Sequence, residues 1–396
     1  MARAKQPSDT KTVKPGQYAD VLEEMLRKWE YATDRWRPIR AEAKTDMRYV
    51  SGDPWEQKDQ RAREAAGRPI GSYDELSQYT NQVINDIRQH KRAIEVTPIG
   101  EGANDHTAEV RQSLFRQIEY RSNAQQAYTC AFQNMVERSY GFLRIKPVYC
   151  NTPTESGGMG SAFDQELLIE PLVNPDLVTV DPDFIKPDGS DLQYAWIAES
   201  WDLDRYRHRF PKAKVRDFSA DLAKSAPTWM DARRIRIAEY FAIEPVSRCL
   251  YLFDDGTTQP DGTTAPVEVF EDDITRDGPY ARFVEATPDR ERTVEVPDVK
   301  IYLTNGFEVL EPPTRWPGKT LPIVTFFGKV LYVEVEGQGA ERQILSMVRL
   351  ARDPYMLYCY IRACEQELVG MTPKVPYFVR KGSLDAGELL NLQKSL

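Results

Sequence analysis

Residues Ser122–Cys150 read SNAQQAYTCAFQNMVERSYGFLRIKPVYC, and the reading of this stretch decides the class of fold. Ala127, Ala131, Phe132, Met135 and Val136 recur at helical spacings, which predicts a helix over Asn123–Tyr140. From Phe142 the period shortens to that of a strand, and Phe142–Cys150 alternates. Ser122 is placed to cap the helix, and Gly141 stands where a left-handed terminating residue belongs. A helical part followed by a strand-rich part predicts an α+β protein.

Toward the N-terminus the helical pattern continues. Tyr18, Leu22, Met25, Trp29, Ala32 and Trp36 form one apolar stripe that Pro38 is expected to end or kink. Such a stripe serves either an ordinary core helix or a contact between subunits, because the two kinds of core look alike in sequence. A charged, glycine-bearing loop is expected over Ser51–Gly71. A second helix follows over Tyr73–Lys91, with Tyr79, Val83, Ile84 and Ile87 inward. Arg92–Pro98 alternates as a short strand would. A third helix is expected over Ala103–Arg121, with Val110, Leu114 and Ile118 on one face.

Toward the C-terminus the pattern is of strands. Glu166–Leu172 is expected to pair with Phe142–Cys150 around a polar tip at Asn151–Gly160. Val178–Val180 and Tyr194–Glu199 read as strands, and Leu203–Phe210 as a short helix with Asp202 as N-cap and Pro211 as its end. Ile235–Ile243 and Arg248–Phe253 are expected to form a strand pair. Asp298–Thr304 and Phe307–Leu310, joined by Asn305-Gly306, carry a hairpin signal. The polar, acidic segment Asp254–Pro297 reads either as a partner-facing protrusion or as a solvated insertion. Ala340–Gly370 is expected to be a long helix with Ile344, Met347, Val348, Ala351, Leu357, Ile361, Cys364 and Leu368 inward, kinked or split at Pro354. Ala386–Leu396 looks like the start of another helix. The divisions are therefore a disordered arm (1–16), a helical part (17–141), a β-rich part (142–336) with the polar insertion at about 254–297, and a final helical part (337–396).

Composition narrows the class. With 396 residues, 41% hydrophobic and 29% charged, the chain is long enough for two or three cores and reads as soluble and globular. No apolar run approaches the roughly 20 residues that span a bilayer. Met1–Gly16 is polar and basic with no apolar stretch behind it, so it is not a signal peptide. Cys130, Cys150, Cys249, Cys359 and Cys364 fit no metal or disulfide pattern, and His90, His106 and His208 lie far apart; reduced thiols are expected. The net charge of −9 argues against tight nucleic-acid binding, which needs Lys and Arg on phosphates. It leaves room for DNA that must slide, since a sparsely basic wall avoids deep electrostatic wells.

Few residues suggest chemistry. Asp181, Asp183, Asp188 and Asp191 crowd a glycine-bearing loop, as in a calcium site. Ile185 and Pro187 fall where ligands would be needed, and Asp, Pro and Gly also suit a tight turn between strands. His208 sits among Arg205, Arg207 and Arg209, a face that either touches phosphate or is solvated and salt-bridged. No phosphate-binding Gly-x-x-x-x-Gly-Lys loop, Gly-x-Ser-x-Gly elbow or His-Glu-x-x-His motif occurs. Trp55, Trp196, Trp229 and Trp316 are scattered as core anchors are, not as a base-stacking platform. No catalytic, cofactor-binding or metal-ligating residue is assigned, and no cofactor is expected.

A set of punctuated signatures carries a resemblance. They are Gly67-Arg68-Pro69 leading to Asn81 and Ile84; Asn174-Pro175, Asp181-Pro182 and Ser190-Asp191; Ile237-Ala238-Glu239-Tyr240-Phe241; and Leu321-Pro322-Ile323-Val324 with Gly328. In this order and spacing they resemble the portal proteins of short-tailed bacteriophages. The Ser122–Phe132 helix before Gly141-Phe142, and Val348-Arg349, Asp353-Pro354 and Thr372-Pro373-Lys374, are similar to further family segments. The similarity covers most of the chain from about Trp29 to Val375.

The resemblance implies a virion protein without catalysis, assembled in the host cytoplasm as a homo-oligomeric ring, usually of twelve copies, at one capsid vertex. It implies partners: major capsid and scaffolding proteins, terminase, tail or head-tail adaptor proteins, and double-stranded DNA passing without sequence specificity; no membrane is involved. It also implies a helical N-terminal region and β-rich wing with a stem, a terminase-facing clip and long helices toward a central tunnel. Family members usually continue beyond the point where this sequence stops, so the end at Leu396 suggests a partly represented chain. Where the family's helix carries Gln and Asn, this chain has Tyr355 and apolar neighbours, which departs from a tunnel-facing pattern. Two other readings remain: a different virion assembly protein such as a head-tail adaptor, and a metal-dependent hydrolase built on Asp181–Asp191.

Overall fold

The computed structural model describes residues 18–90, 94–99, 104–149, 165–186, 188–211, 213, 230–231, 234–258, 264–274, 280, 283, 286, 288, 290–335, 339–371, 385 and 387. The fold is mixed helix and sheet. Five helices come first: α1 (Ala19–Val50), α2 (Gln57–Ala65), α3 (Leu76–Gln89), α4 (Asp105–Arg121) and α5 (Ala124–Arg138). The strands follow as β1 (Tyr140–Tyr149), β2 (Gln165–Pro171), β3 (Val178–Val180) and β4 (Tyr194–Asp202), then the short helix α6 (Leu203–Arg209). Next come β5 (Met230–Asp231), β6 (Arg234–Thr258), β7 (Thr264–Phe270), β8 (Arg290–Thr304), β9 (Thr314–Trp316) and β10 (Ile323–Phe327). The described elements close with β11 (Lys329–Val335), β12 (Gly339–Leu345) and α7 (Met347–Met371).

The strands form three antiparallel sheets. The largest runs β3-β4-β6-β8-β9, with β5 and β7 also on β6; the second runs β10-β1-β2; the third pairs β11 with β12. The first half of β4 (Tyr194–Ala198) and the middle of β6 are buried on both faces, which explains their continuous apolar runs. On one face, α1 lays Met25, Trp29 and Ala32 against Trp196, Tyr240 and Tyr302. The Trp29 and Trp196 rings meet edge to face at 5.4 Å, and the small residues Ala198, Ala238 and Ala242 leave room for such bulk. One turn further on, Trp36 and Ala43 join the core between the sheets, beside Tyr140, Phe142, Val180, Phe241 and Ile323. The Trp36 indole donates to the Val180 carbonyl at 2.8 Å. The predicted N-terminal stripe is therefore spent inside the subunit as a core helix and is not free as a ring contact.

Several expectations need correction. α1 does not end at Pro38 but continues to Val50. The cost of an interior proline, about 3 kcal/mol or more for the lost hydrogen bond and the ring clash together, is outweighed by packing on both sides, where Trp36 and Ala43 are buried. Likewise α7 passes Pro354 unbroken, anchored by Val348, Tyr355, Cys359 and Ala363 in a core shared with Trp55 and Leu76. The helix was expected from Ala340, but its first turns fall in the strand β12 (Gly339–Leu345), which pairs with β11. The expected loop Ser51–Gly71 contains α2. Tyr79 on α3 points out while Leu76, Thr80 and Ile84 point in. No strand forms over 94–98.

Local chemistry explains three more differences. α5 is closed by Ser139, which takes the left-handed conformation (φ 76°) assigned in advance to Gly141. Gly141 lies in β1, where a Cβ would stand 2.0 Å from the Ala131 carbonyl oxygen, so glycine is needed for close approach of strand to helix. Ser122 does not cap α5; its hydroxyl accepts from the Ile169 amide, and Asn123, left-handed at φ 48°, is the N-cap. Asp202 occupies the N-cap position of α6 without a side-chain capping bond.

Ile235–Ile243 and Arg248–Phe253 are not partners. They are two halves of the single strand β6, which pairs with β8 from Leu252↔Arg290 to Ala238↔Thr304. The pattern breaks at Pro245, which the register sets opposite Pro297. The polar segment 254–297 is in part an extension of this ribbon, since it contributes β7 and the start of β8. A small cluster of Phe253, Val269 and Phe283 holds it, and Arg248 pairs with Asp272 and Asp273. At Asn305-Gly306 the chain does turn, but only the bridge Thr304↔Val309 follows, so no second strand forms. The arm 1–16, the tip at 151–160, Trp229, Cys150 and most of 386–396 lie outside the described residues.

Candidate functional site

Three places bring charged side chains together. The first is the carboxylate loop between β3 and β4. Asp181 accepts from the amides of Asp183 (3.0 Å) and Gln193 (3.3 Å), and Asp188 from the Ser190 amide (3.1 Å). Asp191 accepts from the amides of Ile185 (2.6 Å) and Lys186 (3.1 Å), and Asp183 from the Tyr31 hydroxyl (3.1 Å). Asp181, Asp188 and Asp191 are thus used by the loop's own backbone, as an Asx-type turn uses them, while Asp183 ties the loop to Tyr31 of α1. Burial pushes the Asp181 carboxyl up. Burial would also raise that of Asp191, but the two donated amide bonds together hold it below the usual range. Arg342 from β12 locks the loop by donating to the Pro182 and Phe184 carbonyls while stacking on the Phe184 ring at 3.9 Å. Among the described residues, no group of three or more His, Cys, Asp or Glu side chains is arranged to hold a metal ion.

The second place is a cleft of about 730 Å³ between the β1–β2 hairpin, the large sheet and α6. Arg205, His208 and Arg209 line it, while Arg207 does not, as expected for positions i, i+3 and i+4 of one helix. The cations are already engaged. Arg144 pairs with Glu239 (2.5 Å), Lys146 with Glu170 (3.8 Å) and Arg209 with Glu311 (3.7 Å), and Arg205 stacks on Trp201 at 4.0 Å. On α6 itself Arg209 is ion-paired and Arg205 stacked, and the paired charges of the opposite walls leave an anion little to bind.

The third place was not legible beforehand. Asp46, fully buried at 0% exposure, lies where α1 crosses the start of α7. It accepts from the Ser346 hydroxyl (2.9 Å) and from Arg349 (3.2 Å). Arg352 brings a guanidinium nitrogen to 2.6 Å, off the line of an aligned hydrogen bond. Burial pushes the Asp46 carboxyl up, against the pull of both arginines. Glu42, half-exposed, completes the node by pairing with Arg352 at 2.7 Å. The sequence carried a signal: after Trp36, Ile39 and Ala43, Asp46 stands at the next inward position of the stripe, where a carboxylate requires a partner. Stopping the helix at Pro38 hid it.

The tryptophans behave as anchors. Trp55 and Trp196 are buried, and Trp316 packs against the main core. Tyr355, the residue at odds with a tunnel-facing helix, is buried within the subunit. No helix among the described residues is long and apolar enough to cross a membrane.

What the three places share is structural work: turns, clamps and charge pairs that fix elements to one another. Comparison with known proteins agrees. A protein described as "Portal protein" from Acyrthosiphon pisum secondary endosymbiont phage 1 is 24% identical over 339 residues, covering 81% of this chain. The chain spans 44% of that relative's length. The phage P22-like portal protein family matches residues 26–391, from within α1 through both groups of helices and all three sheets. The chain belongs to the phage P22-like portal protein family.

Proposed function

We propose that this chain is a subunit of a homo-oligomeric ring, of about twelve copies by family likeness, at one capsid vertex. The ring serves as the conduit for DNA in packaging and ejection, and as the docking platform for terminase and for tail or adaptor proteins. It performs no catalysis. The observation that carries this reading is the family match over residues 26–391, which spans the helical and the strand-rich parts together. Two features support it: the carboxylates that most resemble a metal site are spent on backbone amides (Asp181, Asp188, Asp191) or on the Tyr31 hydroxyl (Asp183), and the basic cleft is internally neutralised. An acidic chain with paired cations suits passage of DNA without sticking.

The test is electron microscopy of the purified protein, alone and co-expressed with phage head proteins, classified by rotational symmetry. The expected result is closed rings around a channel wide enough for duplex DNA, roughly 20 Å judged from its groove dimensions. A compact dimer under both conditions, or persistent monomers under both, would overturn the reading.

A further inference from the structure

β6 and β8 run on together well past the sheet that shelters them. In the body, β4 flanks β6 as far as the pair Tyr194↔Ala242, and β9 flanks β8 from Ile301 to Val299. Farther out, β7 takes up the edge of β6 that β4 has left, beginning at the pair Leu250↔Phe270. Between these limits, over Glu244–Cys249 and Thr293–Asp298, the sheet narrows to two strands.

The two prolines of this neck keep it narrow. The Ile243 amide donates to the Gln193 carbonyl at 3.0 Å, on the edge away from β8. Amides two apart on a strand point to the same edge, so the Pro245 ring occupies that edge just where β4 has ended. Ile243↔Val299 is therefore a non-hydrogen-bonded pair, and so is Pro245↔Pro297. In such a pair both backbone nitrogens face the open edges. Neither proline interrupts the ladder between β6 and β8; each removes an amide that a third strand would use.

No core underlies the neck. From Ile243 to Leu252 on β6, and from Arg290 to Asp298 on β8, no residue is buried, whereas Ala242, Phe253 and Val299 at the limits are. The apolar residues beyond the neck form a cluster of their own: Phe253, Val269 and Phe283, with Tyr251, Val267 and Ile274 beside them. Phe253 stacks on Phe283 with ring centroids 4.5 Å apart. The charges divide in the same way. Arg248 pairs with Asp272 at 2.8 Å and lies over the Phe270 ring at 4.6 Å, on the far side. Glu244 binds Lys300 and the Tyr302 hydroxyl, and Asp298 binds Arg315, on the body side.

We propose that Glu244–Cys249 and Thr293–Asp298 form a hinge, about which the ribbon beyond the prolines, with its own apolar cluster, tilts as one body against the main sheet. A two-stranded ribbon twists more than a wide sheet, and bending it here disturbs no packed core. The ladder stays paired, so a few residues absorb the motion. The hinge is a property of the subunit and does not depend on the ring reading.

The experiment uses the full chain. Spin labels on non-natural residues at Glu268 of β7 and Thr314 of β9 report the tilt by pulsed electron resonance, with labelled subunits diluted in unlabelled ones. Labels at Glu268 and Glu291 report the ribbon itself. All three positions are exposed. The Glu268–Thr314 distance distribution is expected to be about twice as wide as the Glu268–Glu291 distribution. Ser247→Cys with Glu295→Cys then bridges the neck at an exposed non-hydrogen-bonded pair, whose Cα atoms lie about 4.5 Å apart. Once mass spectrometry has confirmed this bridge, the first distribution is expected to narrow to the width of the second, and reduction to widen it again. Equal widths in the wild type would overturn the hinge. A wide distribution that the bridge leaves unchanged would place the motion elsewhere and also overturn it. Hydrogen exchange distinguishes tilting from melting: the Leu250 and Leu252 amides, bonded to β8, should exchange at least about tenfold more slowly than in a free peptide. Exchange at the free-peptide rate would show that the ribbon melts instead of tilting, and would overturn the proposal.

Discussion

Replacing Asp46 by asparagine removes one negative charge from the crossing of α1 and α7 while keeping the size of the side chain. The structure sets the magnitude. Asp46 holds two largely buried guanidiniums at 3.2 and 2.6 Å and accepts from Ser346 at 2.9 Å. At an effective dielectric near 20, each charge pair at roughly 3 Å is worth about 5 kcal/mol gross. Desolvation opposes this gain strongly enough to raise the Asp46 carboxyl, so the gross figure is not the net worth of the pairs. What remains after one partner is deleted is the uncompensated charge of the other, about 3–5 kcal/mol for a buried pair. Arg352 keeps Glu42, so the lower half of that range is expected for Asp46→Asn. Glu42→Gln, at a half-exposed position, should cost no more than about 1 kcal/mol. Urea unfolding followed by far-ultraviolet circular dichroism and tryptophan fluorescence reads both. Equal shifts for the two variants, or a shift under about 1 kcal/mol for Asp46→Asn, would refute the argument that the buried carboxylate couples these helices.

Two further predictions follow from single contacts. Gly141→Ala places a methyl group 2.0 Å from the Ala131 carbonyl oxygen, so β1 and α5 must separate; a loss of about 3 kcal/mol or more is expected. An unchanged urea midpoint would show that the close approach is not obligatory. Asp191 has a folded pKa below its unfolded value, so its anchorage of the loop is present at neutral pH and is lost only as pH falls below about 4. Hydrogen exchange at the Ile185 and Lys186 amides should stay slow down to that pH in the wild type and, above it, be about tenfold faster in Asp191→Ala, the difference vanishing at lower pH. Rapid exchange of both amides at neutral pH in the wild type would contradict this.

Local periodicity determined a good deal about this protein. The switch from helix to strand at residues 138–142 and the pairing of β1 with β2 follow from spacing, as do the short strands β3 and β4 and the helix α6. The turn reading of the Asp181–Asp191 loop also needed only the residue types, because Asp, Gly and Pro act on backbone one to six positions away. Family membership was legible too, in the order of short signatures that no single element explains.

Tertiary structure decided what depends on distant partners. Pro38 and Pro354 carry a strong local stop signal, yet both helices run on because packing on either side exceeds the lost hydrogen bond. Gly141 looked like a helix terminator and is a point of close approach, which only the position of Ala131 could reveal. Ile235–Phe253 looked like two strands and is one, because β8 runs beside its whole length. For the same reason Val110 and Leu114 of α4 stand out where they were expected inward, and on α7 Val348 is buried as expected while Leu357, Ile361 and Leu368 are exposed. Periodicity says that a helix has an apolar face; which of its residues are buried is set by what packs against it.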